Sequence, residues 1–375
     1  MCLPDRWKQQ RIQAIALEAC RRAPDPGATD RRRVCRMNVA QVMAGAPTGG
    51  AELFFERLTI ALASAGETVL PVIRSNPARA GRLSAAGLVP LEFRFGGPLD
   101  LLTGPRLGAT LRHFAPRVTI AWMSRAARFT PQGDWVLAGR LGGYYDLRNF
   151  RHCDHLVGNT RSIVDWIAAQ GWPARRLHYL PNFSPDMANA APAALDLPPA
   201  TPLVLALGRL HRNKAFDVLV RAMSALPDVH VLIAGDGPER GSLLALAQAE
   251  GAADRLHLVG WRADTAALLA AADILVCSSR HEPLGNVVLE AWSAGRPVIA
   301  TTTDGPRELI TAGADGILIP PEDPGALAAA VSGLLNDTAR TRSLAEAGRV
   351  RYVSEFAEAP VVARWRHFLA TVEKP

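Results

Sequence analysis

Two glutamates eight positions apart carry the most informative chemistry in this sequence. Glu282 and Glu290 bracket the segment EPLGNVVLE, in which Pro283, Gly285 and Asn286 interrupt regular structure before an apolar helix begins. The first turn of a helix presents unpaired N–H groups and the positive end of the helix dipole, and a glycine there lets an anion approach closely. The segment therefore predicts a phosphate seat flanked by two carboxylates.

We expect this seat to bind a donor through Gly285, Asn286, Val287 and Val288, with Glu290 one turn further along the helix. A carboxylate beside an anion is useful if the same ligand carries hydroxyl pairs, because it can accept from two hydroxyls at once. A nucleotide sugar has a diphosphate between two hydroxyl-rich rings. The alternative is that both glutamates are solvated, since their spacing alone is weakly specific.

A second group of candidate residues follows the apolar run Leu203–Leu207. Gly208 and Arg209 come at the end of this predicted strand, and Lys214 stands five residues after Arg209. Two cations at the carboxyl end of a buried strand can stabilise the charge that grows on a departing diphosphate. The guanidinium offers a fork of donors and the ammonium a compact charge.

Polar residues in the first half of the chain could complete such a site. Gly49 and Gly50 lie between a predicted strand and a predicted helix, a layout that cradles phosphate, although a glycine pair also fits a tight turn. Arg125, Arg140 and Tyr144 come near predicted strand ends, and we expect them to line an acceptor cleft. The alternative is that loop arginines only increase solubility.

Three segments of the second half resemble one known family. EPLGNVVLE with the following AGRPVIAT is similar to the donor-site motif of retaining GT-B glycosyltransferases of family 4, and GRLHRNKAFD and GDGPER resemble two further segments of that family. The resemblance implies that Glu282 contacts the donor sugar and that Glu290 holds the ribose. It makes Arg209, Lys214 and Glu282 the expected catalytic residues.

The same resemblance covers about residues 34–372 and includes two departures. It implies that the loop containing Gly49 and Gly50 closes over the donor diphosphate and the acceptor. Ala215 stands where the family usually has glycine. In WVLAGRLGGYY, Arg140 stands where the family often has a histidine near the anomeric carbon.

The elements that would position these residues alternate between strands and helices. Alternation of this kind predicts parallel sheets with helices on both faces and ligands at the carboxyl ends of the strands. The predicted strands are 34–43, 68–73, 118–122, 135–139 and 155–158 in the first half, and 203–207, 229–234, 256–260, 274–278, 298–301 and 316–320 in the second.

We therefore predict an α/β chain of the GT-B class, with two Rossmann-like parallel-sheet domains facing a central cleft. Its predicted parts are a basic, disordered arm (1–33), an acceptor-side domain (34–180), a linker rich in proline and asparagine (181–202), a nucleotide-sugar-binding domain (203–357) and a C-terminal helix that crosses back to the first domain (358–375).

Composition limits the partners of this chain. The net charge is +7, and residues 1–33 alone hold eight Arg or Lys against four Asp or Glu, which suits polyphosphate ligands or an anionic membrane surface. No nucleic-acid motif is present. Five cysteines without a C-x-x-C pair, and no D-x-D sequence, predict a reducing compartment and no metal.

The combined prediction is a hexosyltransferase-type glycosyltransferase (EC 2.4) of the bacterial envelope polysaccharide or lipopolysaccharide type. It would move a sugar from a UDP- or GDP-linked donor to a saccharide or lipid-linked acceptor, with retention of configuration and without cofactor or metal. We expect it in the cytoplasm, in peripheral contact with the inner face of the plasma membrane. The alternatives are a nucleotide-sugar epimerase of the same architecture and a catalytically inactive nucleotide-sugar-binding module.

Overall fold

The computed structural model describes residues 36–97, 99–198 and 200–375, which form two α/β units. The first unit contains the described residues up to 159 together with 163–180 and 362–375, and the second contains 160–162 and 181–361. The predicted arm at residues 1–33 lies outside the described residues. None of the described helices is both long and apolar enough to cross a bilayer.

The first unit is built on a seven-stranded sheet in the order β3-β2-β1-β4-β5-β6-β7. All of its strand pairings are parallel. The strands are β1 (Asn38–Met43), β2 (Thr68–Arg74), β3 (Leu91–Phe93), β4 (Val118–Trp122), β5 (Val136–Leu141), β6 (His155–Gly158) and β7 (Leu177–Tyr179).

Five α-helices connect these strands. They are α1 (Gly50–Ser64), α2 (Pro77–Ala85), α3 (Thr103–Phe114), α4 (Met123–Phe129) and α5 (Arg161–Ala169), with 3₁₀ turns at Leu147–Phe150 and Ala174–Arg176. All five residues of β4 are buried, which explains its uninterrupted apolar sequence, because helices cover both faces of a parallel sheet.

The second unit is built on a six-stranded sheet in the order β10-β9-β8-β11-β12-β13, again with parallel pairings throughout. Its strands are β8 (Leu203–Leu207), β9 (His230–Ala234), β10 (Leu256–Gly260), β11 (Ile274–Cys277), β12 (Val298–Thr301) and β13 (Ile317–Ile319).

Two apolar clusters of buried residues pack in this second unit. Its helices are α6 (Phe216–Ala222), α7 (Arg240–Ala249), α8 (Thr265–Ala271), α9 (Asn286–Ser293), α10 (Asp304–Leu309), α11 (Pro324–Asn336) and α12 (Thr338–Arg351), with 3₁₀ turns at Arg212–Lys214 and Met223–Ala225 and a π-helical turn at Tyr352–Phe356.

Much of the segment predicted as a linker, residues 181–202, packs within the second unit. The Ala193 amide donates to the Ala267 carbonyl at 2.9 Å, and Asp186 forms an ion pair with Arg349 at 2.7 Å. The Tyr352 hydroxyl donates to the Ser184 carbonyl at 2.8 Å. Its prolines and asparagines prevent regular structure, but backbone and side-chain groups still find partners.

The last helix, α13 (Glu358–Thr371), begins in the second unit, and residues from Val362 onward group with the first. Arg366 Nε lies 2.8 Å from the buried Glu67 carboxylate, and Arg117 Nε donates to the Leu369 carbonyl at 3.0 Å. The C-terminal helix thus connects the chain back to the sheet on which it started.

Candidate functional site

The order of the second sheet reverses between two neighbouring strands, β8 and β11. Ligands of doubly wound sheets bind outside the carboxyl ends of the strands at such a reversal. Lys214 follows β8 and Glu282 follows β11. The fold therefore brings together two residues that are 68 positions apart in the chain.

Lys214 and Glu282 form the ion pair at the centre of this site, with Lys214 Nζ donating to Glu282 Oε2. Their side chains are 24% and 13% exposed, so the pair is largely shielded while still open to a ligand. Ser279 Oγ and the Gly285 amide also donate to the Glu282 carboxylate, each at 3.2 Å. Glu282 therefore has a fixed orientation before any ligand binds.

Lys214 is held in its charged form. Burial is the largest single effect and lowers the pKa of Lys214, but the negative charge of Glu282, with smaller contributions from Cys277 and Glu290, outweighs it. The pKa of Lys214 consequently lies above its usual value. The contribution of Glu290 to the pKa of Lys214 is the smallest of these.

The two loops that carry the pair are tied together by their backbones. The Arg280 amide donates to the Asn213 carbonyl at 2.8 Å, and Ser278 Oγ donates to the Lys214 carbonyl at 2.9 Å. Ala215 is fully buried in the left-handed conformation, with φ 51° and ψ 39°. This backbone geometry favours glycine and explains why the family usually has one at this position.

Helix α9 starts beside the ion pair, as the sequence predicts. Gly285 is its N-cap residue with φ 81°, a left-handed conformation that turns the chain from the Glu282 loop into the helix. The amides of Asn286 and Val287 come in the first turn, where an α-helix has no acceptor of its own for them. The Asn286 side chain accepts from Asn182 Nδ2 at 3.0 Å, which fixes it at the helix start.

Val288, also predicted to bind the donor, is placed differently from Asn286 and Val287. Its side chain is fully buried in the apolar core, and its amide donates to the Gly285 carbonyl at 2.9 Å. The side chain of Val288 is thus not accessible to a phosphate, and its amide already has an acceptor. The predicted seat then rests on the amides of Asn286 and Val287.

Arg209 and Gly208 lie at the carboxyl end of β8, next to Lys214. A Cβ atom at Gly208 would be 3.0 Å from Lys214 Cε, so the backbone here passes close to the lysine stem. The Arg209 side chain is exposed, and within the described part of the chain it forms no ion pair. Its guanidinium is thus available to an anionic ligand at this edge.

Trp261, which follows β10, is 76% exposed. Its indole ring is therefore accessible at this strand end. The GDGPER loop runs beside the same strand end, because the Gly235 amide donates to the Gly260 carbonyl at 2.8 Å.

In the first unit, the predicted glycine loop surrounds a carboxylate that the sequence interpretation overlooked. Gly49 is the N-cap residue of α1 and Gly50 its first residue. Glu52 is buried, and its Oε1 accepts from the Ala46 amide at 2.7 Å. Cβ atoms at Gly45 and Gly49 would lie only 2.2 and 2.4 Å from this carboxylate. The sequence did indicate this role, because Glu52 is the third residue of a helix that starts at the glycine pair, where an acidic side chain often accepts from nearby amides.

The assignment of Arg140 to an open acceptor cleft also needs correction. Arg140 lies inside β5 and is almost completely buried. Its guanidinium carbon lies 4.7 Å from the Trp122 ring centroid and 5.4 Å from that of Phe54. Burial lowers the pKa of Arg140 to about 10, and Tyr145 acts in the opposite direction. Aromatic faces stabilise a buried guanidinium in a way that sequence patterns do not reveal.

The other two predicted acceptor residues remain accessible. Arg125 is exposed on α4, and Tyr144 is partly exposed and contacts the edge of Trp166 at a centroid distance of 5.4 Å. Within the described residues, no group of three or more His, Cys, Asp or Glu side chains could hold a metal ion.

The amino-acid sequence of this chain is similar to those of known glycosyltransferases. The family profile of "Glycosyl transferases group 1" matches residues 201–337. Two lipopolysaccharide core biosynthesis glycosyltransferases of Rhizobium meliloti are similar along most of the chain. LpsE is 35% identical over 86% of this chain and 96% of its own, and LpsD is 34% identical over 83% and 92%.

Solved structures share the fold at lower identity. The crystal structure of Anabaena HepE in complex with UDP and glucose has a TM-score of 0.76 and 20% identity, and the match covers 90% of this chain and 100% of that one. This similarity confirms the predicted GT-B fold class.

Proposed function

This chain belongs to the group 1 glycosyltransferases, and we propose that it transfers a sugar from a nucleotide diphosphate to a saccharide or lipid-linked acceptor with retention of configuration. The observation that carries the proposal is the ion pair of Lys214 and Glu282, which lies at the reversal of the second sheet. Beside it are an accessible arginine and the start of α9.

The donor diphosphate would bind to the amides of Asn286 and Val287 and to the side chains of Arg209 and Lys214. Lys214 and the two amides are fixed before the ligand arrives, so they stabilise developing negative charge without reorganising. Glu282 would accept from hydroxyls of the donor sugar, and Glu290 from the ribose. Both glutamates lie close enough to Lys214 to raise its pKa, which supports a single shared ligand.

In the proposed reaction, the bond between the anomeric carbon and the diphosphate oxygen breaks as the acceptor oxygen attacks from the same face. The acceptor proton passes to the departing phosphate oxygen. Arg209 and Lys214 stabilise the charge of this leaving group throughout. No covalent enzyme intermediate forms, so no carboxylate nucleophile about 5 Å from an acid is required.

The relatives support a choice of donor and acceptor. HepE was crystallised with UDP and glucose, which supports a UDP-linked hexose over a GDP-linked one as the first donor to test. LpsE and LpsD act in lipopolysaccharide core biosynthesis, which supports an oligosaccharide acceptor of the core type. We also propose that no metal or cofactor takes part, and that the basic residues 1–33 bring the protein into peripheral contact with an anionic membrane.

A two-step experiment tests this proposal. UDP- and GDP-sugars are first screened by thermal shift, since a ligand at 100 times its dissociation constant stabilises the folded state by about 2.7 kcal/mol. The best donor is then incubated with truncated core oligosaccharides, and the anomeric configuration of the product is determined by NMR. Acceptor-dependent nucleotide release and an unchanged anomeric configuration are expected.

Each part of the proposal has its own contrary result. Nucleotide release or sugar isomerisation at the same rate without any acceptor would favour the epimerase. Binding of a nucleotide sugar without turnover across the acceptor panel would favour the inactive module. An inverted product would reject the same-face route while leaving the glycosyltransferase assignment intact.

A further inference from the structure

Three leucines within four residues are exposed on the first unit. Leu99, Leu101 and Leu102 are 94%, 78% and 62% exposed, in the segment between β3 and α3. Scattered single apolar side chains on a surface are ordinary, but a contiguous group of this kind marks an interaction site.

The leucines are displayed by a well-anchored turn. Asp100 Oδ2 accepts from the Gly96 amide at 2.7 Å and from Thr103 Oγ1 at 2.7 Å, and Asp100 Oδ1 accepts from the Thr103 amide at 3.1 Å. The hydrogen bond from the Gly96 amide is the largest of several effects that lower the pKa of the Asp100 carboxyl group to about 2. Phe95, at the start of the turn, is fully buried. The turn is therefore shaped to hold its leucines outward.

The chain segment that follows β3 and contains the turn is rich in arginine. Between residues 94 and 128 the sequence contains six arginines and one acidic residue, Asp100, which the turn itself uses. Arg117 is engaged by carbonyls of the C-terminal helix. The other five are exposed and, within the part of the chain that the structure describes, form no ion pair with a carboxylate; they are Arg94, Arg106, Arg112, Arg125 and Arg128.

Part of this positive charge lines a groove that begins two residues after the turn in the chain. Arg112 and Arg128 line a groove of about 610 Å³ that also includes Gly104 and Pro105, and these two residues follow Leu102 almost directly in the chain. Arg94 and Arg106 flank the leucines in sequence. The three exposed leucines thus lie between exposed arginines in the chain.

A bilayer with anionic headgroups matches this combination. Apolar side chains enter the boundary between headgroups and acyl chains, while arginines remain at the level of the phosphates. A second copy of this chain fits less well, because a symmetric contact through the same patch would bring the arginines of the two copies together. The positive charge around the leucines therefore favours an anionic membrane over a second copy of the chain.

We propose that Leu99, Leu101 and Leu102 insert into the interface of an anionic membrane while Arg94 and Arg106 contact its phosphates. The turn follows the carboxyl end of β3 in the parallel sheet, and the Gly45–Gly49 loop follows that of β1. Docking through this turn would thus present the sheet edge with its glycine loop to the membrane. A lipid-linked acceptor could then enter directly, a consequence that rests on the proposed function.

The test uses the full chain and cosedimentation with vesicles of phosphatidylcholine containing phosphatidylglycerol, compared with pure phosphatidylcholine. The variant Leu99→Ser/Leu101→Ser/Leu102→Ser should bind the anionic vesicles at least tenfold less tightly, and Arg94→Gln and Arg106→Gln should each weaken binding about fivefold. A matched control changes three exposed apolar residues of the second unit, Leu244→Ser/Val350→Ser/Val353→Ser, and should bind like the wild type.

Residues 1–33 are present in all variants, so differences between them report the turn alone. Equal vesicle binding by the triple-leucine variant and the wild type would overturn the proposal. So would a wild-type dimer that dissociates in that variant without any loss of lipid binding. Transfer to a soluble acceptor should be unchanged in the triple-leucine variant, so a failure of docking and a failure of the proposed function give different results.

Discussion

Replacing Lys214 by methionine removes its charge and keeps most of its apolar stem. The structure sets the expected size of the effect. Lys214 is a fixed, largely shielded cation, so its loss should resemble the loss of one preorganised donor to a developing oxyanion. Such losses reduce turnover by about 10² to 10³, or about 2.7–4 kcal/mol. Donor affinity should change less, because Arg209 and the start of α9 would still bind the diphosphate of the proposed donor.

The fold should survive this substitution. Glu282 keeps its bonds from Ser279 Oγ and the Gly285 amide, and the pair is partly exposed. The loss of stability should therefore fall between the value for exposed pairs, about 0–1 kcal/mol, and that for buried pairs, about 3–5 kcal/mol. Circular dichroism and thermal unfolding check this before any kinetic comparison.

The assay measures nucleotide release at saturating acceptor over a range of donor concentrations, which separates kcat from KM. Arg212→Met is the matched control, since Arg212 carries the same charge in the same 3₁₀ turn but is exposed. A folded Lys214→Met enzyme with wild-type turnover would refute the reasoning. An equal loss in Arg212→Met would show that net charge, and not the placed ammonium, is what matters.

Three further outcomes are expected. Turnover should persist in EDTA, because Lys214 and the other fixed donors supply the positive charge that a metal would bring; loss of activity with rescue by Mg²⁺ or Mn²⁺ would contradict this. Glu52→Ala should lower kcat/KM at least tenfold because it loosens the glycine loop, by analogy with the loss of a positioning contact. Glu52→Gln keeps an acceptor for the Ala46 amide and should retain most activity. Equal impairment of both variants would reject a positioning role. Burial is the larger cause, and the charge of His155 the smaller, of a pKa of about 4 for His178. His178 therefore takes up a proton near pH 6.5 in the unfolded chain but not in the folded chain. The free energy of unfolding should consequently fall as the pH drops from about 6.5 to 4. The melting temperature of His178→Gln should fall less over that window, and an identical fall would disprove the assignment.

Long apolar runs made the central strands predictable, whereas two short edge strands, β3 and β7, were missed. The predicted spans 118–122, 203–207 and 298–301 coincide with β4, β8 and β12, because each is buried on both faces. β3 and β7 have only three residues each and mixed or partial burial, so they lack that pattern. Their place in the sheet depends on neighbouring strands.

In the candidate site, too, short motifs were predictable from the sequence, whereas contacts between residues far apart in the chain were not. The motifs identify Lys214 and Glu282 separately, but their contact across 68 positions depends on the order of β8 and β11. Arg140 was predicted to line an acceptor cleft because it lies near a strand end. Its burial between Trp122 and Phe54 requires three distant segments to meet. Partnerships of this kind have no periodicity in the sequence.

The ion pair of Lys214 and Glu282 has a consequence for selectivity among the many anions of a cell. A site made only of cations and amides would retain inorganic phosphate or any nucleotide. Here a bare anion has to compete with Glu282 for the ammonium group and remain near Glu290, whereas a ligand with hydroxyls gives both carboxylates new donors. If the donor binds as proposed, transfer removes the sugar hydroxyls from Glu282 while the ribose hydroxyls stay near Glu290. The pair would then favour the intact donor over the released nucleotide and assist departure of the product.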